Sequence, residues 1–137
     1  MRLERYNDAV NVFMQSLEQG NLKIDASVDA DGQRLLLKWV GKSVDADPAA
    51  VLDTYLNGAV KTAAQNGYSL EMDFSSLDYM NSSTVPPIIR VIGDLHRQNI
   101  PGLILYRSSL KWQQASFRAM ANVVRLQKMN SVEVRGV

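Results

Sequence analysis

The stretch Leu70-Glu71-Met72-Asp73-Phe74-Ser75-Ser76-Leu77-Asp78-Tyr79-Met80-Asn81-Ser82-Ser83-Thr84-Val85 decides how this chain is read. It opens as an apolar strand over residues 69–74, continues as a hydroxyl-rich loop over residues 75–83, and runs into a helix whose first turn holds Pro86-Pro87. Proline is tolerated there because the first amides of a helix have no intrahelical partner. The amides that remain must be bonded from the preceding turn, so Ser83 or Thr84 is expected as the N-cap. A helix start also favours an anion, so a phosphate on Ser82 could be held there without unfolding the domain.

Working towards the N-terminus, residues 49–65 carry Val51, Leu52, Tyr55, Leu56, Ala59, Val60 and Ala63 at helical spacing, which predicts a helix with these residues inward. Asp47-Pro48 reads as its N-cap followed by a first-turn proline, and Asn66-Gly67 as a left-handed end. Further back the period is two. Leu22, Ile24, Ala26 and Val28 alternate with polar residues, and residues 34–40 return as a second strand. Between them Asp31-Gly32 is expected to supply the positive φ of a hairpin turn. Before Gly20, Tyr6, Val10, Phe13, Met14 and Leu17 predict an amphipathic helix over residues 6–19, either packed on the body or serving as a dimer or partner face.

Working towards the C-terminus, residues 88–98 read as a helix with Ile88, Val91, Ile92 and Leu95 inward. Pro101-Gly102 then precedes Leu103-Ile104-Leu105-Tyr106, a short apolar run typical of a parallel strand. Residues 110–124 form a third helix and 132–134 a last strand. Strands that alternate with helices imply right-handed crossovers, here with one antiparallel hairpin in front. The fold class is α/β, a mixed and mostly parallel sheet.

Composition narrows the chemistry. The chain has 137 residues, no cysteine and one histidine, so neither disulfides nor a zinc site is expected. The absence of an apolar run of about 18 residues predicts no membrane span, and the reducing cytoplasm is the expected location. Residues 1–83 hold 7 Lys/Arg against 12 Asp/Glu, a net −5, and residues 84–137 hold 8 against 2, a net +6. The basic residues are dispersed, which reads first as a solvated surface, next as a face for an acidic protein and last as a nucleic-acid site. No binding to nucleic acid is therefore expected.

No phosphate loop and no nucleophile elbow is present. His96 is placed on the outer face of its helix, fourteen residues after Ser82. At helical rise that separation is about 20 Å, which rules out a Ser82–His96–Asp73 triad. Asp45 and Asp47 are explained by capping beside Pro48, Asp29 and Asp31 by the hairpin turn. The chain is read as a protein without catalytic residues, cofactor or metal.

The segment from Asp73 to Thr84 resembles the signature of STAS domains, the anti-sigma factor antagonists, in which a strand and an Asp-Ser-Ser-Gly turn open a helix. The stretch Trp112-Gln113-Gln114-Ala115-Ser116 is similar to one in short stand-alone bacterial regulators of that kind. The resemblance implies a STAS-like domain over residues 22–137, with helices mainly on one face of the sheet, preceded by an N-terminal amphipathic helix over residues 1–21. It implies that Ser82 is a phosphoacceptor, with Ser83 the second choice. Asp73, Asn81, Ser82, Ser83 and Thr84 would then meet the partner. The implied partners are a kinase-like anti-sigma factor and a phosphatase, in a partner-switching signalling role in transcription regulation. Asn81 stands where that family usually has Asp, and Thr84 where it has Gly. The other reading is a STAS-like module that senses a ligand or docks on a scaffold without phosphorylation, with a pocket near residues 74–84 and 106–111.

Overall fold

The two-residue alternation after Gly20 becomes a long antiparallel hairpin, and everything that follows is added to its second strand. The computed structural model describes residues 15–29 and 31–137. Strands β1 (Leu17–Gln19), β2 (Leu22–Asp29) and β3 (Arg34–Ser43) lead, followed by helix α1 (Ala49–Asn66) and strands β4 (Ser69–Asp73) and β5 (Leu77–Met80). A single 3-10 turn (Ser82–Thr84) runs directly into helix α2 (Val85–Arg97). Strand β6 (Gly102–Tyr106), helix α3 (Lys111–Leu126) and strand β7 (Val132–Gly136) complete the fold.

The sheet order is β1-β2-β3-β4-β6-β7. The β1–β2 and β2–β3 pairs are antiparallel, and β3–β4, β4–β6 and β6–β7 are parallel. This is the mixed, mostly parallel sheet that the alternation of strands and helices implies. Its register aligns Ala26, Leu37, Met72, Ile104 and Val134 in one row across the sheet. That face is covered by the three helices, whose inward residues include Leu52, Leu56, Ala59, Val60, Ala63, Ile88, Val91, Ile92, Leu95, Phe117 and Met120. The other face carries Leu36, Glu71, Leu103 and Glu133 in the neighbouring row. The apolar run 103–106 is therefore only half-sunk, with Ile104 buried and Leu103 and Leu105 partly open.

Strand β3 has two partners on the same side. Arg34 to Lys38 pair with β4, and Gly41 to Ser43 pair with β5 after a register shift at Gly41 and Lys42. Gly41 has φ +90, and a Cβ there would lie 2.1 Å from the Asn21 carbonyl oxygen, so only glycine fits the transfer. Strand β5 falls where the sequence reads as loop. At four residues it is too short, and too rich in polar residues, to show a period of its own.

Other expectations shift in detail. The predicted helix over residues 6–19 lies outside the described residues as far as position 14, and its last three positions, Leu17–Gln19, are strand β1 paired with β2. Among the described residues of the hairpin, Gln33 is the one in the left-handed region, at φ 52. Asp29 instead accepts the Gly32 amide and pairs with Arg34, which holds its carboxyl below the usual range. Helix α1 is entered through Pro48 with no side-chain cap, so Asp47 does not cap it. Its other end is as expected, on Gly67 at φ 67. Tyr55 on α1 is half-buried, and loss of solvent pushes its phenol up to about 12, with the Asp25 charge adding to the effect.

Candidate functional site

The turn 81–84 sits where β5 ends against the far end of β3, and its geometry follows from the polar side chains that the chain places there. The Asn81 amide donates to the Ser43 carbonyl at 2.9 Å, closing the β3–β5 pairing. Its side-chain Nδ2 donates to the Asp45 carbonyl at 2.7 Å. Its Oδ1 accepts the Thr84 hydroxyl at 2.8 Å, and its carbonyl accepts the Thr84 amide at 3.1 Å. The Ser43 hydroxyl lies 2.7 Å from Thr84 Oγ1, in a buried pair. Because the one Thr84 hydroxyl proton is committed to Asn81, Ser43 is the donor in that pair. An aspartate at position 81 could not make the bond to Asp45, so the asparagine has a structural reason.

The expected cap is absent. Helix α2 has no side-chain cap, and Thr84, fully buried, turns its hydroxyl inward to Ser43 and Asn81. The 3-10 turn supplies the backbone continuity instead, with the Val85 amide donating to the Ser82 carbonyl. Thr84 is thus a tether of the turn and has no free surface to offer. Ser82 and Ser83 are exposed, and neither hydroxyl has a hydrogen-bond partner among the described residues. Both stand at the positive end of α2, whose first turn holds no acidic residue.

Asp73 does not join this cluster through its side chain. Its Oδ1 accepts the Ser75 amide at 2.9 Å, and it lines a cavity of about 220 Å³ on the open face with Asp25, Ser27, Leu36, Lys38 and Glu71. Asp45, assigned to capping from the sequence, is drawn into the turn through its backbone, while its carboxylate accepts Gln19 Nε2 at 3.2 Å. His96 is half-buried rather than solvated, and it lies in the last turn of α2, at the other end from Ser82. A cavity of about 480 Å³ opens where the parallel strands begin, between Gln33, Gly67, Tyr68, Ser69 and Asn99, remote from the turn.

Further support comes from α3. Gln113 is fully buried and makes three bonds. Its Nε2 donates to the Phe74 and Leu77 carbonyls at 2.7 and 2.8 Å, and its Oε1 accepts the Arg107 amide at 2.7 Å. It holds the loop between β4 and β5 in place. A glutamine in line with Phe117 and Met120, at inward helical spacing, was the signal for this role. Beneath it the rings of Trp39, Phe74 and Phe117 follow one another at 4.6 and 4.8 Å. On the surface, Tyr79 and Trp112 meet at 6.2 Å, and Tyr79 and Val44 are each 47% exposed. The turn is therefore flanked by accessible apolar side chains. No helix among the described residues is long and apolar enough to cross a membrane.

No family model and no curated protein matches the sequence. Solved structures do match the fold. Apo-SiaC from Pseudomonas aeruginosa is 15% identical over 90% of this chain and 100% of its own, with a TM-score of 0.57. An anti-sigma factor antagonist from Mycobacterium paratuberculosis is 14% identical over 85% and 89%, at 0.53. A chain of the Pseudomonas aeruginosa complex between the diguanylate cyclase SiaD and its activator SiaC is 14% identical over 90% and 99%, at 0.51. The chain thus has the STAS-like fold of SiaC and of an anti-sigma factor antagonist.

Proposed function

We propose that this protein is a non-enzymatic signalling module that binds a kinase-like protein partner through the turn 81–84, under control of phosphorylation at Ser82. One observation carries the reading. Ser82 presents an exposed hydroxyl, unbonded among the described residues, at the positive end of α2, on a turn fixed from behind by Asn81, Thr84 and Ser43. A phosphate there would add roughly −1.5 to −2 charges to a surface whose shape is already set. Ser83, equally exposed, is the second acceptor, and Tyr79 and Val44 supply apolar contact beside it. The fold supports a binding role, since one structural neighbour is an anti-sigma factor antagonist and another is a complex between an enzyme and its activator. A phosphatase that resets Ser82, transcription regulation as the output and the cytoplasm as the location complete the reading.

The test is the affinity of Ser82→Asp and Ser82→Ala for a kinase-like partner encoded beside this chain, with phosphoserine sought at Ser82 in cells. Different affinities for the two variants are expected. Equal affinity would leave a second reading, a docking turn that is never phosphorylated. Asn81 favours that alternative, because its amide fixes the turn at the position where the resembling family carries a negative charge.

A further inference from the structure

The outward side of α3 is organised differently from the other helices. Trp112, Ala115, Ala119, Asn122 and Leu126 follow one another at alternating spacings of three and four, the pattern of a helix–helix seam. Ala115, Ala119, Asn122 and Leu126 are exposed, Leu126 at 72%. Lys111, Arg118 and Arg125 recur every seven residues along one border of that seam, which places them about 10.5 Å apart. Serine and valine occupy the other border, at Ser116 and Val123, which are half-buried against the body.

Among the described residues, the charges on this helix have no acidic partner. On α2, Arg90 pairs with Asp53 and Arg97 with Asp94. Helix α3 contains no acidic residue. Neither Lys111 nor Arg118 has an ion-pair partner among the described residues, and Arg125 meets only the Asn122 side chain. The two alanines would let a second helix approach closely, towards the short end of the usual 8–10 Å separation.

We infer that this face of α3 receives an amphipathic helix from a protein partner whose flanking positions are acidic. A second copy packed antiparallel through α3 does not fit, because it would set the two cationic borders against each other, and a parallel copy would leave the cations facing serine and valine with no acidic complement. Nucleic acid fits poorly as well. A single row of cations about 10.5 Å apart, with alanines between, makes few of the phosphate contacts that sustain such binding. The inference is independent of Ser82, since the seam lies along α3 and requires no phosphate.

The test uses the full chain and three fluorescent probes. These are a helical peptide with leucine at the seam and glutamate on its borders, the same peptide with lysine on its borders, and a DNA duplex. The glutamate peptide is expected to bind, with affinity falling as salt rises, and the lysine peptide is not. The combined variant Lys111→Glu, Arg118→Glu and Arg125→Glu should weaken glutamate-peptide binding by on the order of tenfold. Ala119→Arg should also weaken it, although it adds a positive charge, because it blocks the seam. All four positions are exposed, so circular dichroism should show an unchanged fold. Equal binding of the two peptides, full binding by the triple variant, tighter binding by Ala119→Arg, or a preference for DNA would each overturn the inference.

Discussion

The hydroxyl of Thr84 lies 2.7 Å from that of Ser43, forty-one residues earlier in the chain, and the pair is buried. This contact ties the entry of α2 to the end of β3, and Asn81 Oδ1 completes it. Thr84→Val keeps the shape but leaves the Ser43 donor and the Asn81 acceptor without their partner. Denaturant unfolding should show a loss of about 1–3 kcal/mol. Ser82→Ala, two residues away and exposed, should stay within about 0.5 kcal/mol of the parent protein.

Gln113→Leu fills a similar volume with no polar atoms. It strips a donor from the Phe74 and Leu77 carbonyls and an acceptor from the Arg107 amide. Phe74 O retains the Leu77 amide at 2.9 Å, so the loss is partial. A destabilisation of about 2–4 kcal/mol is expected, from more than one buried group left unpaired. Hydrogen exchange should accelerate first at residues 75–80, which Gln113 holds.

Gly41→Ala tests the transfer of β3 from one partner strand to the next. The added methyl meets the Asn21 carbonyl oxygen, which the Lys42 amide holds in place at 3.0 Å. The backbone must move as well as adopt an unfavourable positive φ. A loss of about 3 kcal/mol or more, seen as a lowered denaturation midpoint, is the expected result.

Tyr55 gives the fold an alkaline sensitivity. In the unfolded chain its phenol loses a proton near the ordinary value of 10.0, whereas in the folded protein it keeps it until about 12. Between those values the unfolded state binds fewer protons, so stability falls as pH rises. Partial exposure screens the effect to on the order of 1–2 kcal/mol. Tyr55→Phe should flatten this part of the stability curve, as measured by unfolding at several alkaline pH values.

Much of the architecture was legible because it depends on periodicity. The two-residue repeat opens on the buried Leu22 and Ile24 and continues with the partly buried Ala26 and Val28, and the helical repeat from Leu52 to Ala63 matches a buried face that Val51 does not join. The site was less legible, since its parts are joined by bonds between distant residues. Ser43, Asp45 and Asn81 carry no shared pattern, and only the β5 pairing brings them together. A threonine before a proline-rich helix start reads locally as a cap. Its inward turn depends on a serine hydroxyl from another strand, which no local rule supplies. Strand β1 was obscured for a related reason, because Leu17 fits the preceding helical spacing as well as it fits a strand edge.

The fixed turn 81–84 also bears on the thermodynamics of recognition. A loop that orders only on contact gives up conformational entropy at that moment, roughly 0.5–1.5 kcal/mol for each side chain immobilised. Here Asn81 and Thr84 are already held before any encounter. Association at this turn should therefore require little reorganisation of its own backbone. Its affinity would be set mainly by what the partner finds at Ser82 and Ser83, so a single charged group could change the outcome without the fold having to move.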